Sequence, residues 1–265
     1  MLEQIIAAEK IRLGQIDVKG RIKEWKSRLG EAPPARASAA FLRNPGGISL
    51  IGEIKRASPS AGVLKDNLDV GQTAAIYRQG GAAAISVLTQ EHFFRGSLGD
   101  LMAVRKSCKL PILRKDFIFT EYQVWESRWA GADFVLLIAS IIAQRTLQEL
   151  FDLCCDLGMD ALVEVHDEEE LEMAVRIGSR MIGINNRSLE TLELDRNTAL
   201  RLAGLLSGDV VKIAESGISG RQEVCRLHEA GFDAVLVGEA ILRSPDPAGK
   251  ISALLGLQKK SPSVS

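Results

Sequence analysis

The sequence predicts an α/β protein, a single (β/α)8 or TIM barrel with an N-terminal helical extension. Beyond Ile48, a short aliphatic or β-branched run followed by a polar segment with helical periodicity recurs eight times. The 265 residues also match the roughly 250 residues of a lone eight-fold barrel. An open doubly wound sheet is the alternative, but the even repetition without a larger composition break favours closure into a barrel.

The eight aliphatic runs are the predicted strands. Neighbouring runs are separated by enough residues for a helix and two short loops, so each crossover can return parallel to the preceding strand. The predicted strands span residues 49–55, 83–89, 111–117, 134–140, 161–166, 181–187, 210–216 and 234–240. Glycines precede several of them, where a helix is expected to end in a left-handed cap: Gly80, Gly81, Gly131, Gly158, Gly178 and Gly231.

The two ends of the chain extend the barrel without suggesting a second domain. Residues 1–47 carry an amphipathic, charged helical pattern, then a loop over residues 31–37 and a short apolar turn over residues 39–43. We assign residues 48–256 to the barrel and residues 257–265 to a polar tail that we expect to fray. The sequence therefore predicts one domain over residues 1–265.

Composition and charge exclude several classes of partner. Lys and Arg number 33 against 34 Asp and Glu, so no excess positive charge is available to hold a nucleic acid or an anionic membrane. Four cysteines without a C-x-x-C pair indicate free thiols in a reducing compartment. No apolar run reaches the roughly 18 residues of a membrane span. We expect a cytoplasmic protein, monomeric or at most a weak dimer, with a small-molecule ligand.

Polar residues end five of the eight predicted strands. A lone charged residue at a strand end is more often simply solvated, but here both charges occur on several strands, and barrel enzymes carry their active sites at these ends. A mixed rim of lysine and glutamate can also tune acid and base strengths by mutual pairing and burial. The residues are Glu53, Lys55, Lys115, Glu164, Asn185, Arg187, Glu215 and Ser216.

Glycines after the seventh and eighth strands predict a phosphate site. Gly217 directly follows the seventh strand in AESGIS, and Gly238 stands in LVGEAI, where a short helix can begin. Backbone N–H groups of such turns and helix N-termini bind phosphate oxygens, and this site recurs in TIM barrels. The alternative is that both glycines serve only as turns. A phosphorylated substrate is the better interpretation.

Metal and nucleotide chemistry lack their usual sequence support. His92, His166 and His228 are scattered without metal-ligand spacing, so we expect them at the surface or behind the residues that contact substrate. The sequence contains no phosphate-loop, dinucleotide or zinc-protease motif. We expect no metal and no cofactor.

The ordered motifs together are specific enough to indicate a family. They read GEIKRASPS (52–60), SVLTQEHFFRGS (86–97), PILRKDFI (111–118), LVEVH (162–166) and GINNR (183–187), followed by AESGI and LVGEA. In order and spacing the whole chain, including the N-terminal extension, resembles indole-3-glycerol phosphate synthase. The resemblance implies a cofactor-free conversion of 1-(2-carboxyphenylamino)-1-deoxyribulose 5-phosphate to indole-3-glycerol phosphate, carbon dioxide and water in tryptophan biosynthesis.

The resemblance also implies catalytic roles. Lys115 matches the family's general acid, which acts on the substrate C2′ carbonyl as the aromatic ring carbon attacks it. Glu164 matches the acid/base of the later dehydration, and Glu53 matches a carboxylate that supports it. Asn185 and Glu215 complete the implied catalytic set. Ring closure needs a cation near the developing alkoxide and dehydration needs an acid, so a lysine and a glutamate in one pocket suit the reaction.

Binding roles follow from the same resemblance. Lys55 and Ser58 are expected to meet the anthranilate carboxylate, and Arg187 adds a polar contact. The apolar groups around the aromatic ring match Phe94, Phe117 and Leu189. The residues expected at the phosphate are Ser216, Gly217, Gly238 and Glu239. We expect the Glu239 side chain to point away from the anion.

Two positions depart from the family pattern, and two other functions compete. Gln90 and Ser188 stand where many relatives carry acidic or, at the second position, acidic or amide residues, which puts loop details and turnover in question but not the reaction. A related barrel, phosphoribosyl anthranilate isomerase, uses a cysteine and an aspartate at strand ends, whereas Cys108 lies before the third strand. The other alternative is a catalytically silent barrel that binds a phosphorylated ligand, against which Lys115 and Glu164 argue.

Overall fold

Eight parallel strands close into a barrel in the computed structural model, which describes residues 2–206 and 209–257. The first and last strands pair with Gly52 opposite Val237, which closes the sheet. The strands are β1 (Ser49–Ile54), β2 (Ala84–Leu88), β3 (Ile112–Lys115), β4 (Phe134–Ile138), β5 (Asp160–Val165), β6 (Met181–Asn185), β7 (Val211–Glu215) and β8 (Ala234–Val237). The predicted (β/α)8 barrel is confirmed, and the alternative of an open sheet is wrong.

Thirteen α-helices surround or precede the barrel within the described residues. Three precede β1: α1 (Leu2–Gly14), α2 (Val18–Ser27) and α3 (Ser38–Leu42). The others follow in chain order: α4 (Val70–Gly80), α5 (Glu91–Phe94), α6 (Leu98–Ser107), α7 (Glu121–Ala130), α8 (Gln144–Asp156), α9 (Glu168–Arg176), α10 (Asn197–Ala203), α11 (Arg221–Glu229), α12 (Glu239–Leu242) and α13 (Pro247–Leu255). Short 3-10 turns occupy Leu29–Glu31 and Ala139–Ile141.

Glycines mark the helix ends as predicted. Gly81 caps α4 with φ of 102° and Gly131 caps α7 with φ of 93°, a conformation that other residues adopt only with strain. Gly158, Gly178 and Gly231 also have positive φ and follow the ends of α8, α9 and α11. The chain therefore turns back toward the next strand where the sequence indicates. Gly80 is the exception, because it is the last residue of α4 itself.

Strand alternation separates the barrel interior from the outer layer and delivers the polar rim. Every second residue of a strand points inward, so an apolar interior residue is followed two positions later by another inward side chain nearer the open end. Ile51 precedes Glu53 in this way, and Leu113 precedes Lys115. Leu162 precedes Glu164 on β5. The same pleat that fills the core therefore aims the titratable side chains into the barrel mouth.

The segment before β1 packs closely against the barrel. Ile5 of α1 and Leu42 of α3 are completely buried in the same apolar cluster as the interior strand residues. Arg12 of α1 lies 3.3 Å from the carboxylate of Glu126 on α7, which in turn pairs with Arg114 of β3 at 2.9 Å. Charged and apolar contacts thus fix this segment against the wall of the barrel. The predicted polar tail lies outside the described residues except for Leu257.

Candidate active site

A cavity of about 490 Å³ opens at the carboxyl ends of the barrel strands, within the usual range for small-molecule sites. Every site residue predicted from the sequence lines this cavity. They are Glu53, Lys55, Ser58, Phe94, Lys115, Phe117, Glu164, Asn185, Arg187, Leu189, Glu215, Ser216, Gly217, Gly238 and Glu239. The strand ends converge on one volume because the parallel strands all point their carboxyl ends to the same face.

Lys115 lies between two buried carboxylates that line the cavity. Its Nζ atom is 2.9 Å from Glu164 Oε2, to which it donates a hydrogen bond, and 3.4 Å from Glu215 Oε2. Only 14% of the lysine side chain is exposed, and both carboxylates are almost completely buried. One cation therefore bridges carboxylates from β5 and β7 across the barrel mouth.

Glu164 has both carboxylate oxygens occupied. Lys115 binds Oε2, and Asn185 on β6 donates from Nδ2 to Oε1 at 3.0 Å. The His166 ring lies on the same side as Asn185, with Nε2 at 3.4 Å from Glu164 Oε1. These contacts hold the carboxylate in one orientation, as a catalytic acid or base requires.

Burial and mutual pairing determine the charges of Lys115 and Glu164. Burial would lower the pKa of Lys115, but Glu164, Glu215 and Glu53 outweigh it and raise that pKa above its usual value. Burial would raise the pKa of Glu164, but Lys115 and His166 outweigh it and lower that pKa. Lys115 is therefore a cation, and Glu164 beside it is an ionised carboxylate.

The pKa of Glu215 differs from that of Glu164, because less positive charge compensates the burial of Glu215. Burial raises the pKa of Glu215 to about 7; Lys115 opposes this rise, while Glu164 and Glu53 add to it. Its Oε1 atom is buried without a hydrogen-bond partner. Two carboxyl groups around one lysine thus differ in proton affinity, the arrangement that separates an acid from a base in one site.

A close approach of backbone to Glu215 makes Gly183 of β6 a sensitive position. A Cβ atom there would lie 2.3 Å from Glu215 Oε1 and 3.1 Å from the Leu162 side chain. We expect Gly183→Ala to push Glu215 off Lys115 and to lower kcat about tenfold or more, which is about 1.4 kcal/mol or more of transition-state stabilisation. Steady-state kinetics measures the loss.

The matched control is Gly30→Ala, because a Cβ atom at Gly30 meets no other atom within 4 Å. The control variant should keep its kcat and its melting temperature. If Gly183→Ala keeps full kcat, the position of Glu215 does not matter for turnover.

Lys55 and Glu53 form a second ion pair at the rim of the cavity. Both side chains come from the end of β1, two residues apart and therefore on the same face. Gly238 lies directly beside this pair, since a Cβ atom on it would come within 2.4 Å of Glu53 Oε1. Only a glycine leaves room here for Glu53 against the turn that follows β8.

One end of the cavity is apolar and aromatic. The rings of Phe94 and Phe117 are tilted by 39° with centroids 6.3 Å apart, and Leu189 packs with them on the interior cluster. Ser58 lies in a small hairpin of Ala57–Ser58 and Gly62–Val63, where its hydroxyl accepts the backbone N–H of Ala61 at 3.2 Å. This end suits a flat ring with a polar substituent.

Another part of the cavity lining consists of backbone turns after β7 and β8. Ser216 and Gly217 both have positive φ, 66° and 75°, and Gly238 is the N-cap of α12. The strain at Ser216 is held by Asn186, whose Nδ2 donates to the Ser216 carbonyl at 3.1 Å. These turns bring backbone from two strand ends to one side of the cavity.

The Glu239 carboxylate has a partner at the end of its own helix, where Arg243 is the C-cap of α12. Arg243, one turn later on the chain, donates from Nε to Glu239 Oε1 at 2.9 Å. The carboxylate is thus turned along α12 rather than left as a free negative charge. Arg243 and Arg196 also line the cavity, and sequence analysis missed both. The four-residue spacing from Glu239 to Arg243 is a helical signal in the sequence that could have identified Arg243. No comparable signal marks Arg196.

Arg187 stabilises the loop after β6 by hydrogen bonds within it. Its backbone N–H donates to Asn185 Oδ1 at 3.0 Å, and its Nη1 donates to the Leu192 carbonyl at 2.8 Å. The guanidinium therefore supports the loop that carries Leu189 as well as lining the cavity. The sequence analysis assigned it only a contact with substrate.

The two departures from the family pattern act as local loop caps. Gln90 is buried, and its side-chain oxygen accepts the N–H of Phe93 at 2.8 Å at the start of α5. The Ser188 hydroxyl accepts the N–H groups of Glu190 and Thr191 at 3.3 and 3.1 Å. Neither residue lines the main cavity, so both changes concern the loops around it.

Neither a metal-binding cluster nor a membrane-spanning helix is found in the part of the chain that the structure describes. No group of three or more His, Cys, Asp or Glu side chains in residues 2–206 and 209–257 is arranged to hold a metal ion. Over the same part of the chain, no helix combines the length and apolar character needed to cross a membrane.

Comparison with known sequences gives a consistent result. The family model described as indole-3-glycerol phosphate synthase matches residues 2–254. A relative named indole-3-glycerol phosphate synthase from Rhodococcus opacus is 50% identical over 230 residues, which cover 87% of this chain and 85% of the relative. Indole-3-glycerol phosphate synthase 1 from Streptomyces coelicolor is 44% identical over 255 residues, 96% of this chain and 94% of the relative.

Solved structures with similar folds have much lower sequence identity. The 3-hexulose-6-phosphate synthase of Salmonella typhimurium aligns with a TM-score of 0.62 at 16% identity, over 79% of this chain and 97% of that one. The N-acetylmannosamine-6-phosphate 2-epimerase of Clostridium perfringens aligns with a TM-score of 0.60 at 19% identity, over 78% and 92% of the two chains. At these identities the likeness concerns the barrel fold alone.

Proposed function

The chain belongs to the indole-3-glycerol phosphate synthase family, and on that premise we infer how its own residues carry out the reaction. The activity is that of a carboxy-lyase of tryptophan biosynthesis. It converts 1-(2-carboxyphenylamino)-1-deoxyribulose 5-phosphate to indole-3-glycerol phosphate by ring closure, decarboxylation and dehydration. The observation that carries our residue assignment is the Lys115–Glu164 pair, at 2.9 Å, in a cavity whose lining also includes aromatic side chains and the turns after β7 and β8.

Ring closure is assigned to Lys115. As the aromatic ring carbon attacks the C2′ carbonyl, the carbonyl oxygen gains negative charge and takes a proton. A buried ammonium whose pKa is raised stays charged until that moment and stabilises the oxygen as it becomes an alkoxide. Loss of carbon dioxide then returns its bonding electrons to the ring and restores conjugation.

Dehydration is assigned to Glu164, with support from Asn185, Glu53 and Glu215. The hydroxyl group at C2′ leaves as water after it receives a proton, and a neighbouring carbon loses a proton to form the indole double bond. An ionised, fixed Glu164 is suited to take that proton. Glu215, whose pKa is raised to about 7, is suited to hold a proton near the leaving oxygen.

Substrate binding is divided between two parts of the cavity. We assign the anthranilate ring to Phe94, Phe117 and Leu189, and its carboxylate to Lys55 and Ser58, with Arg187 adding a polar contact. The phosphate is assigned to the turns after β7 and β8, at Ser216, Gly217, Gly238 and Glu239. Backbone N–H groups at such turns favour an anion, and Arg243 turns the Glu239 carboxylate along its own helix.

The phosphate assignment predicts competitive inhibition by inorganic phosphate. Phosphate should occupy the turns without disturbing Lys115 and Glu164, so the apparent KM should rise linearly with phosphate while kcat stays constant. Initial rates at several phosphate concentrations, with sodium chloride matched for ionic strength as the control, measure this. A purely noncompetitive effect, or a crystalline substrate complex with the phosphate elsewhere on the rim, would contradict the assignment.

The remaining properties are proposals of the same kind. We propose one domain over residues 1–265, a cytoplasmic location and a monomeric or at most weakly dimeric state, with no nucleic-acid partner. The isomerase alternative is disfavoured because Cys108 is buried before the start of β3, away from the carboxyl ends of the strands.

Incubation of the purified chain with the carboxyphenylamino substrate tests the function, because indole-3-glycerol phosphate fluoresces. Absence of product would support the catalytically silent barrel.

A further inference from the structure

The inference concerns His166, which follows the last residue of β5. Strand alternation places His166 on the same side as Glu164, two residues earlier, toward the active site. We propose that His166, held by Glu170, is a positioning residue that presents a cation to Glu164 and keeps that carboxylate ionised and oriented for the reaction. This rests on the role proposed above for Glu164.

The histidine ring lies between two carboxylates. Its Nδ1 is 3.0 Å from Glu170 Oε2, and its Nε2 is 3.4 Å from Glu164 Oε1. A neutral imidazole carries a proton on one nitrogen only and would place a lone pair against one of the two acceptors. A doubly protonated ring donates a hydrogen bond from Nδ1 to Glu170 and directs its second N–H group toward Glu164 at ion-pair distance. The geometry alone therefore favours the imidazolium form.

Glu170 fixes the ring from the first turn of α9. Its carboxylate oxygen accepts the backbone N–H of His166 at 2.8 Å in addition to the ring contact. The His166 and Glu170 side chains are only 15% and 14% exposed, so solvent screens this pair weakly. By contrast, His166 Nε2 is buried with no hydrogen-bond partner, so the ring faces Glu164 as a nearby charge.

The surrounding charges explain why a second cation matters for Glu164. Lys115 is the cation on its other side, and it is shared with Glu215 and influenced by Glu53. Asn185 binds Glu164 without contributing charge. Removing the histidine would leave Glu164 paired with Lys115, which it shares with Glu215, while Glu53 has its own partner in Lys55.

The charges around His166 itself are acidic. Glu164 and Glu170 face its two nitrogens, and Glu193 and Asp195 line a neighbouring cavity together with the ring. Burial would lower the pKa of His166, but Glu164 and Glu170 outweigh it and raise that pKa to about 10. The ring is thus a cation throughout the neutral range.

A purely structural role makes a different prediction. Glu170 also belongs to the first turn of α9, where Asp167 is the N-cap and accepts the Glu170 N–H at 2.9 Å. If His166 only completed this cap, its replacement would change the melting temperature and leave the titration of Glu164 unchanged. The titration of Glu164 therefore separates the two roles.

The test uses the full-length His166→Gln variant, which keeps an N–H donor but removes the charge. Carboxyl 13C NMR of glutamate-labelled protein follows Glu164, whose signal is assigned by its loss in Glu164→Gln. Loss of the cation disfavours the carboxylate, so the pH at which Glu164 titrates should rise by about one unit or more, a tenfold change in proton affinity. The pH midpoint of the acidic limb of the kcat profile should rise by a similar amount. KM at pH 8 should stay within about twofold of the wild-type value.

Two further variants keep the test decisive. Glu170→Gln should shift the Glu164 titration in the same direction but less, because the ring remains and only its anchor is weakened. His228→Gln is the matched control, since His228 is exposed on α11, and it should change nothing. An unmoved Glu164 titration in both His166→Gln and Glu170→Gln would overturn the proposal.

Failure of the proposed function gives a separate result. If Glu164→Gln itself keeps full turnover, the role of Glu164 is wrong whatever His166 does. If the Glu164 titration moves in His166→Gln while the acidic limb of kcat does not, the link between His166 and the reaction is overturned. A joint shift of both, absent from His228→Gln, supports the proposal.

Discussion

Lys115→Ala should lower kcat by at least about a hundredfold while substrate binding changes little. General acid–base groups typically contribute about 10²- to 10⁴-fold, and the ammonium acts on an alkoxide that exists only as the ring closes. Loss of an interaction made only in the transition state lowers kcat rather than raising KM. Steady-state fluorescence kinetics measures both constants, and ligand titration checks that substrate still binds.

The matched control for this prediction is Lys109→Ala. Lys109 is exposed beyond the opposite, amino-terminal end of β3, so its removal changes the same charge on the same strand segment without touching the cavity. Its kcat should equal that of the wild-type chain. A Lys115→Ala variant that keeps more than about a tenth of kcat, a difference of about 1.4 kcal/mol, would exclude Lys115 as the general acid.

Glu164→Gln should lower kcat by about a hundredfold or more through a late step. Glutamine keeps the size of the side chain and an oxygen that can accept from Asn185 or Lys115, so the ring can still close on Lys115. It cannot take a proton as the carboxylate does, and dehydration should become rate-limiting. Glu193→Gln, an exposed change at the neighbouring cavity, is the control. A loss confined to KM would remove Glu164 from the catalytic set.

The fold could be predicted because local and long-range signals agree. Strand alternation both fills the interior, as at Leu113 and Leu162, and places Lys115 and Glu164 two residues later at the open end. Glycines with positive φ independently mark the helix ends. The site followed from the fold, because residues that end parallel strands must meet at one face.

What the sequence missed depends on contacts that strand periodicity does not encode. Each predicted strand runs one to three residues beyond its observed end, because polar residues such as Arg187 continue the alternation into the loop. The ion pairs from Arg12 to Glu126 and onward to Arg114 join residues far apart in the chain. His166 had a local signal, its position two residues after Glu164, but its partner Glu170 becomes evident only when α9 is placed.

The most direct test of the central claim is the order of product release in a single turnover of Glu164→Gln. Carbon dioxide and indole-3-glycerol phosphate should be quantified at each time point after rapid mixing, with the wild-type chain and Lys115→Ala in parallel. We predict that Glu164→Gln releases about one carbon dioxide per active site before indole-3-glycerol phosphate appears, whereas Lys115→Ala releases neither. If Glu164→Gln forms both at the wild-type rate, or if Lys115→Ala still releases carbon dioxide, the division of labour between these two residues is contradicted.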